Sequence, residues 1–571
     1  MKYHIEHAKY KYGRLTIVGW LAGDTADAGT AVWAEDFQGR RLESEQTRLE
    51  REDVREALFP QETQCLFGFR IKFPLAFGAS FFLCLQSGGQ MRRIKSSARE
   101  VERKKYIPDS FKARLREKLH GGREKETLES ARGPKALPAA GTSIKFSIVV
   151  PVYHTEPEHL ADLLESVFGQ SYPNWELCLA DASSRPLREN CGGNDDPVAR
   201  QLLHFLGDSR VKYKHLPENL GISGNSNAAL SLATGEFVVM ADHDDILTKD
   251  ALERLAQLLK MRPDADFIYS DSDLTDHDNL YDYNALRKPA WSPETLCSAN
   301  YITHLSVVRA GLLRELGGWR PEYDGAQDWD LFLRIGEHTD RIYHIPLILY
   351  HWRAAAGSTA RNVAEKPYAR QAQLKAVQDH LIRCGSEGRP VFADADRTCL
   401  RVEQPEKTAV QDVRIVTAPG VKPDEQTAKE LRFWASRPGI GVVCPRILDD
   451  KGRIVSQGLL LKKEGPQALF AGRFPGTANE LGHTDWYRNH LAAEPICYAV
   501  SRDVWERVGP PDDSLGELAL LDFCLRAESL GYRSLMTPFA VVRGKESAAE
   551  RLGGPCLAGY RKLYKKYHPE E

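Results

Sequence analysis

No Cys-x-x-Cys pair occurs among the 11 cysteines, which lie scattered from Cys65 to Cys556. Disulfide frameworks and the common zinc modules both need closely patterned cysteines, so the spacing predicts reduced thiols, a cytosolic setting and no zinc. Long apolar runs are also missing. No stretch approaches the ~18 to 20 apolar residues of a membrane span, and the N-terminal MKYHIEHAKYKYGR lacks the apolar segment of a signal peptide. The expected location is the cytoplasm, with peripheral contact at the inner face of the membrane as the only membrane association. Neither sign of charge dominates: 77 basic against 79 acidic residues leave a net charge of -2, which argues against a nucleic-acid partner.

What is present is length and order. A chain of 571 residues exceeds one core and predicts three or four units. Residues 1–105 carry short strand-like runs such as Leu15–Trp20, Gly29–Trp33 and Ser80–Leu85 between turn residues, the pattern of an accessory β-sandwich. Residues 106–142 read as a basic helical linker containing Lys112, Arg114, Arg116 and Lys118, a solvated segment or a contact for anionic lipid. From 143 to 400 strands alternate with helices, including Phe146–Tyr153, Trp175–Asp181, Val211–Leu216, Glu236–Asp242 and Arg341–Arg353, with a helix from about Val363 to Ile382. Such βαβ repetition predicts an α/β, doubly wound and mostly parallel sheet. A shorter α/β unit spans 408–571, with strands at Gly441–Cys444 and Ile496–Val500 and a helix near Leu518–Leu530.

The chemistry concentrates in the central unit. The apolar strand GEFVVMADHDD ends in Asp242, Asp244 and Asp245, three carboxylates in four positions. Like charges so close call for a cation, and hard oxygen ligands suit Mg2+ or Mn2+ bridging to a substrate phosphate. The residues alone leave open an acidic loop that caps the helix beginning near Thr248. Ligands in parallel sheets bind beyond the carboxyl ends of the strands, where Pro151 and Tyr153, Asp181, and the Asp242 cluster should converge. In ENLGISGNSN, Gly221 and Gly224 permit a tight turn whose helix can aim N–H groups at an anion.

The segments FSIVVPVY, the Asp181 strand end, NLGISGNSNAAL, ADHDD, GAQDWDLFLR and HIPLILYHWR, in that order, resemble the inverting family 2 glycosyltransferases of GT-A fold over residues 145 to about 355. The resemblance implies transfer of a sugar from a nucleotide-diphosphate donor to a glycan acceptor, lipid-linked in some members, in cell-surface polysaccharide assembly. It implies Pro151, Tyr153, Asp181, Asn219, Gly221 and Asp242 around the nucleotide, and Asp244 and His351 at a divalent metal. Asp328 matches the catalytic base, preceded here by Gln327 where many members carry Glu. Trp291, His304 and Trp329 fall where acceptor contacts are expected, with Tyr301 and Trp352 as further aromatic candidates. The N-terminal stretch resembles the β-sandwich that precedes some polysaccharide-assembly enzymes.

Residues 408–571 resemble the second half of another such domain, truncated and degenerate. Thr417–Gly420 stands in place of the acidic motif, Ala519 and Leu520 precede Asp522, and Arg543 replaces a histidine. Such a unit is expected to serve packing, homo-oligomerisation or acceptor binding. A non-catalytic glycan or nucleotide-sugar binding protein is the competing reading. A processive synthase is disfavoured because membrane spans and a Gln-x-x-Arg-Trp motif are missing.

Overall fold

The computed structural model describes residues 2–11, 14–22, 30–36, 38–49, 68–75, 79–87, 90–97, 144–187, 197–275, 282–353, 367–393, 399–405, 412–489 and 492–568. The basic linker expected over 106–142 lies outside them. The described residues cluster into two compact units, one within 1–143, 191–201 and 275–282, the other within 144–190, 202–274 and 283–571. Among the described residues no helix is long and apolar enough to cross a membrane.

The first unit contains the strands β1 (Lys2–Lys11), β2 (Arg14–Ala22), β3 (Thr30–Glu35), β4 (Glu45–Leu49), β5 (Gly68–Pro74), β6 (Ser80–Ser87) and β7 (Gln90–Ser97). They form two sheets, β1-β2-β5-β4 and β3-β6-β7. Alternate residues supply one apolar core: Leu15, Ile17 and Leu21 from β2, Phe69, Ile71 and Phe73 from β5, and Phe81, Leu83 and Leu85 from β6. This is the expected β-sandwich. Its first strand was hidden by its polarity, for KYHIEHAKYK pairs antiparallel with β2 from Lys2↔Ala22 to Lys11↔Arg14.

The second unit is built on β8 (Phe146–Val152), α1 (Pro157–Phe168), β9 (Trp175–Asp181), β10 (Val211–His215), α2 (Gly221–Leu230), β11 (Phe237–Met240), β12 (Ile246–Leu247), β13 (Phe267–Thr275), β14 (Asp282–Leu286), α3 (Pro293–Leu296), β15 (Ser306–Arg309), α4 (Gln327–His338), β16 (Ile342–Arg353) and α5 (Pro367–Arg383). Strand order is β10-β9-β8-β11-β15-β13-β16-β12, with β14 paired to β13. The expected parallel sheet occupies one half: β10, β9, β8 and β11 run parallel. Their apolar runs are buried at every position of β8, β9 and β11 because helices cover such sheets on both faces. The other half is largely antiparallel, through β11/β15, β13/β15 and β12/β16.

The boundary expected near 400–408 marks a change of sheet but not of compact body. Beyond the hairpin Arg389–Phe392/Leu400–Glu403 lies a sheet ordered Val413–Thr417, Cys497–Ser501, Ile440–Leu448, Arg533–Arg543 and Arg488–Asn489. Its side chains share one core with the first sheet, in which Phe267, Tyr301 and Trp329 join Trp434, Val443 and Tyr487. Arg533 also reaches across with both arms to Glu294 on α3, Nη2 to Oε1 at 2.8 Å and Nε to Oε2 at 3.2 Å.

Candidate active site

The register of the sheet assembles the site. β11 runs parallel to β8, and β8 to β9 with Val152 opposite Asp181, so the ends carrying Tyr153, Asp181 and Asp242 open on one edge. β11 is also antiparallel to β15, with Met240 opposite Ser306. Two residues after Met240 and two before Ser306, Asp242 therefore meets His304, and the His304 Nε2 lies 3.2 Å from Asp242 Oδ2. His304 is buried and stacks on Tyr350 with ring centroids 5.0 Å apart.

Asp245 is fully buried where β12 meets β16. Its Oδ2 accepts from the Tyr350 hydroxyl at 2.7 Å and its Oδ1 from the Arg353 N–H at 2.7 Å. The Tyr350 hydroxyl in turn accepts from the Asp242 N–H at 3.1 Å. Arg353, buried completely, donates from Nε to the Asp244 carbonyl at 2.6 Å and from Nη2 to Asp162 Oδ2 at 2.9 Å. An arginine at the end of HWR thus ties the acidic loop to the sheet, a contact the sequence hinted at by ending that motif in a cation.

Electrostatics set the carboxylates apart. Burial works to raise Asp242, yet the His304 charge and hydrogen bond outweigh it and hold the group below its usual value. Asp244 is raised by burial and by Asp242. Asp245 is pushed well above the usual range by burial and by its two acidic neighbours. Burial lowers His304, but the charge of Asp242, with Asp328 and Asp245, pushes it up to about 9. The buried Nδ1 of His304 has no hydrogen-bond partner among the described residues. Ligand atoms of Asp242, Asp245 and His304 all lie within 4.8 Å of one another. Hard carboxylate oxygens with one imidazole suit a divalent cation, so this donor set fits the expected Mg2+ or Mn2+.

The grouping differs from the expected pair Asp244 and His351. Neighbouring side chains on a strand point to opposite faces. Tyr350 faces Asp245, so His351 faces away, its Nδ1 2.6 Å from Asp273 Oδ1 on β13. Asp244 remains half-buried beside the cluster.

Asp328 stands in the first turn of α4, where the helix dipole favours an acid. Its Oδ1 accepts from the Trp319 indole N–H at 2.8 Å. Burial raises its pKa, and both His304 and Asp242 are close enough to act on it. Gln327 does not orient it: the Gln327 Oε1 accepts from the Gly325 N–H at 2.9 Å. Two residues on, Asp330 is fully buried between Arg320 and Arg334, with Arg334 Nε 2.9 Å from Oδ2.

The nucleotide candidates are partly committed to the fold. Pro151 is buried in β8, and Tyr153 just beyond it is 45% exposed. Asp181 accepts from the Ser183 N–H at 3.0 Å, the Leu187 N–H at 3.0 Å and the Tyr213 hydroxyl at 2.7 Å. Asn219 Oδ1 closes a turn onto the Gly221 N–H at 3.1 Å. Gly221 has φ +75, and a Cβ there would stand 2.4 Å from Asp324 Oδ2. Asp324 takes the Ser223 N–H at 3.2 Å, so a carboxylate already occupies the start of α2 where an anion was expected. The acceptor roles expected for Trp291 and Trp329 give way to packing. Trp329 is 3% exposed and donates from its indole to the Leu296 carbonyl at 2.7 Å, and Trp291 packs against Gly336. Trp319, Asp324 and Arg353 escaped the sequence reading; Asp324 and Arg353 act through partners distant in the chain, and Trp319 through Asp328 across a turn.

The family model Glycosyl transferase family 2 matches residues 147–315. This segment is thus similar in sequence to the family 2 glycosyltransferases. The match ends before Asp328 and His351. The chain is 29% identical over 493 residues to the uncharacterized protein y4gI of Sinorhizobium fredii, covering 71% of this chain and 53% of that one. It is 26% identical over 535 residues to the O-antigen biosynthesis protein RfbC of Myxococcus xanthus, covering 77% and 41%. With chondroitin synthase of Escherichia coli it shares 26% identity over 263 residues, 46% of this chain and 35% of that one. The chain spans about half or less of the length of these relatives.

Proposed function

We propose that the chain is a metal-dependent, inverting glycosyltransferase that moves a sugar from a nucleotide-diphosphate donor to a glycan hydroxyl in cell-surface polysaccharide assembly. The observation that carries this reading is the meeting of Asp242, Asp245 and His304 beyond the carboxyl end of β11, in the segment similar to family 2, with Asp328 on α4 close enough to feel both Asp242 and His304. The names of two relatives, an O-antigen biosynthesis protein and a chondroitin synthase, support the polysaccharide setting.

Asp242, Asp245 and His304, with Asp244 beside them, would hold a Mg2+ or Mn2+ ion. When bound, the ion supplies positive charge to the departing diphosphate. Tyr153, Asp181 and Asn219 border the nucleotide. Asp328 takes the proton of the acceptor hydroxyl as that oxygen attacks the anomeric carbon. One base and no second nucleophile make this a single displacement with inversion. Chelation with EDTA is expected to abolish nucleoside diphosphate release, and added Mn2+ or Mg2+ to restore it. Undiminished release after exhaustive chelation would refute the metal requirement.

The base must be ionised to work. Because burial holds Asp328 above the usual carboxylate range, the acid limb of kcat/KM should fall above pH ~4. The Trp319 hydrogen bond lowers that pKa, so Trp319→Phe should move the limb to higher pH and reduce kcat by about 10-fold, less than the ~10²-fold or more that loss of a general base costs. A pH–rate profile superimposable on the wild type would remove Trp319 from the mechanism.

The C-terminal sheet supports a scaffold role for residues 408–571. Asp330 and Arg334 on α4 are echoed by Asp522 and Arg526, whose Oδ2 to Nε distance is 2.7 Å. Arg334 donates to the Leu316 and Gly318 carbonyls, and Arg526 to those of Val508 and Pro510. The structural ion pair persists, whereas Leu520 stands at the place of Asp328 and is buried. A unit lacking both base and acidic motif cannot run this chemistry.

A further inference from the structure

A second cluster of metal-ligating side chains lies at the far end of the helix that carries Asp328. Glu337 belongs to the last turn of α4, and His380 and Cys384 stand one helical turn apart at the end of α5. The His380 Nδ1 is 2.6 Å from Glu337 Oε1 and 3.7 Å from Cys384 Sγ. Ligand atoms of these three residues all lie within 4.8 Å of one another. The buried thiol of Cys297, just beyond α3, also reaches the same imidazole.

We propose that Glu337, His380 and Cys384, with the buried thiol of Cys297 beside them, form a structural site for a thiophilic divalent cation, Zn2+ in the first instance. A thiolate, an imidazole and a carboxylate are donors that tetrahedral zinc takes, and its ligand atoms stand roughly 3.3 to 3.8 Å apart. The Cys384 to His380 separation is of that size. The shorter Glu337 to His380 contact is a hydrogen bond that opens when Nδ1 and the thiols release their protons to solvent on binding.

The surrounding arginines fit this reading. Arg383 holds Glu337 through Nε to Oε2 at 2.7 Å and Nη2 to Oε1 at 2.8 Å. A carboxylate has lone pairs for both guanidinium and metal, so Arg383 orients the ligand from outside. Arg437 lies close enough to feel the charges of Cys297 and Cys384. An ion pair between His380 and Glu337 alone would have no use for two converging thiols. Sequence spacing argued against zinc because Cys297, Glu337 and the His380–Cys384 turn come from three separate elements. The site would tie α4, and with it Asp328, to α5 and to the turn after α3.

The test uses the full chain, stripped with a chelator under reducing conditions and titrated with Co2+ alone. A saturable thiolate-to-cobalt charge-transfer absorption is expected, displaced by Zn2+, and Zn2+ should protect Cys384 from alkylation by iodoacetamide. Cys384 is exposed, so Cys384→Ser leaves the core untouched; it should lose most of the absorption and weaken Zn2+ binding by about 10-fold or more. His380→Gln should do the same, whereas Asp242→Ala should keep the absorption, separating this site from the acidic cluster. No thiolate absorption in the wild type, an absorption unchanged in both site variants, or Cys384 alkylation undiminished by Zn2+ would overturn the proposal.

Discussion

Asp328→Asn should lower the rate of glycosyl transfer by about 10²- to 10⁴-fold, the range a positioned general base supplies, while donor affinity stays within about twofold. The asparagine amide keeps the size of the side chain and its oxygen still accepts from the Trp319 indole, so the fold is undisturbed. What is lost is the capacity to take a proton at one atom. A kcat effect with unchanged donor binding by calorimetry would separate this role from a merely supporting one. Near-normal turnover would remove Asp328 as the base.

Two residues along the same helix the expectation inverts. Asp330→Asn should destabilise the second unit by about 3–5 kcal/mol, because removing one partner of a buried ion pair leaves charge uncompensated. Asp330 is fully buried, Arg334 Nε lies 2.9 Å away, and Arg320 contacts the other carboxylate oxygen. Arg334 spans back to the Leu316 and Gly318 carbonyls, so the loss also loosens the approach to Trp319. Urea denaturation reads the effect, and a loss below about 1 kcal/mol would show the ion pair to be neutral in the fold. The two substitutions together distinguish chemistry from scaffold within one helical turn of one sequence motif.

Much of this site is legible before folding. A buried apolar strand ending in Asp242, Asp244 and Asp245 announces a strand end with charge to neutralise, and Asp328 follows from its place in the AQDWDL segment. What stays hidden is whatever depends on strand order or strand parity. His304 reaches Asp242 only because β15 lies antiparallel beside β11 with Met240 opposite Ser306. His351 is visible as a histidine near a strand end, but which face it takes is decided by the β12/β16 register that gives Tyr350 to Asp245. Trp329 and Trp291 looked like sugar platforms because indoles serve both purposes; Trp329 is buried in the core and Trp291 packs partly buried against it. The shared core that joins Trp434 and Tyr487 to Phe267 and Trp329 likewise depends on packing between distant segments.

The central claim is that the Asp242 cluster handles a nucleotide sugar for transfer. Its most direct test is release of nucleoside diphosphate from a panel of nucleotide sugars with Mn2+ present, comparing the wild type with Asp242→Ala. Release from at least one donor by the wild type, and its loss in the variant, is the predicted result. Saturable donor binding with no release from any donor, with or without glycan acceptors, would contradict it and leave a binding protein in place of an enzyme.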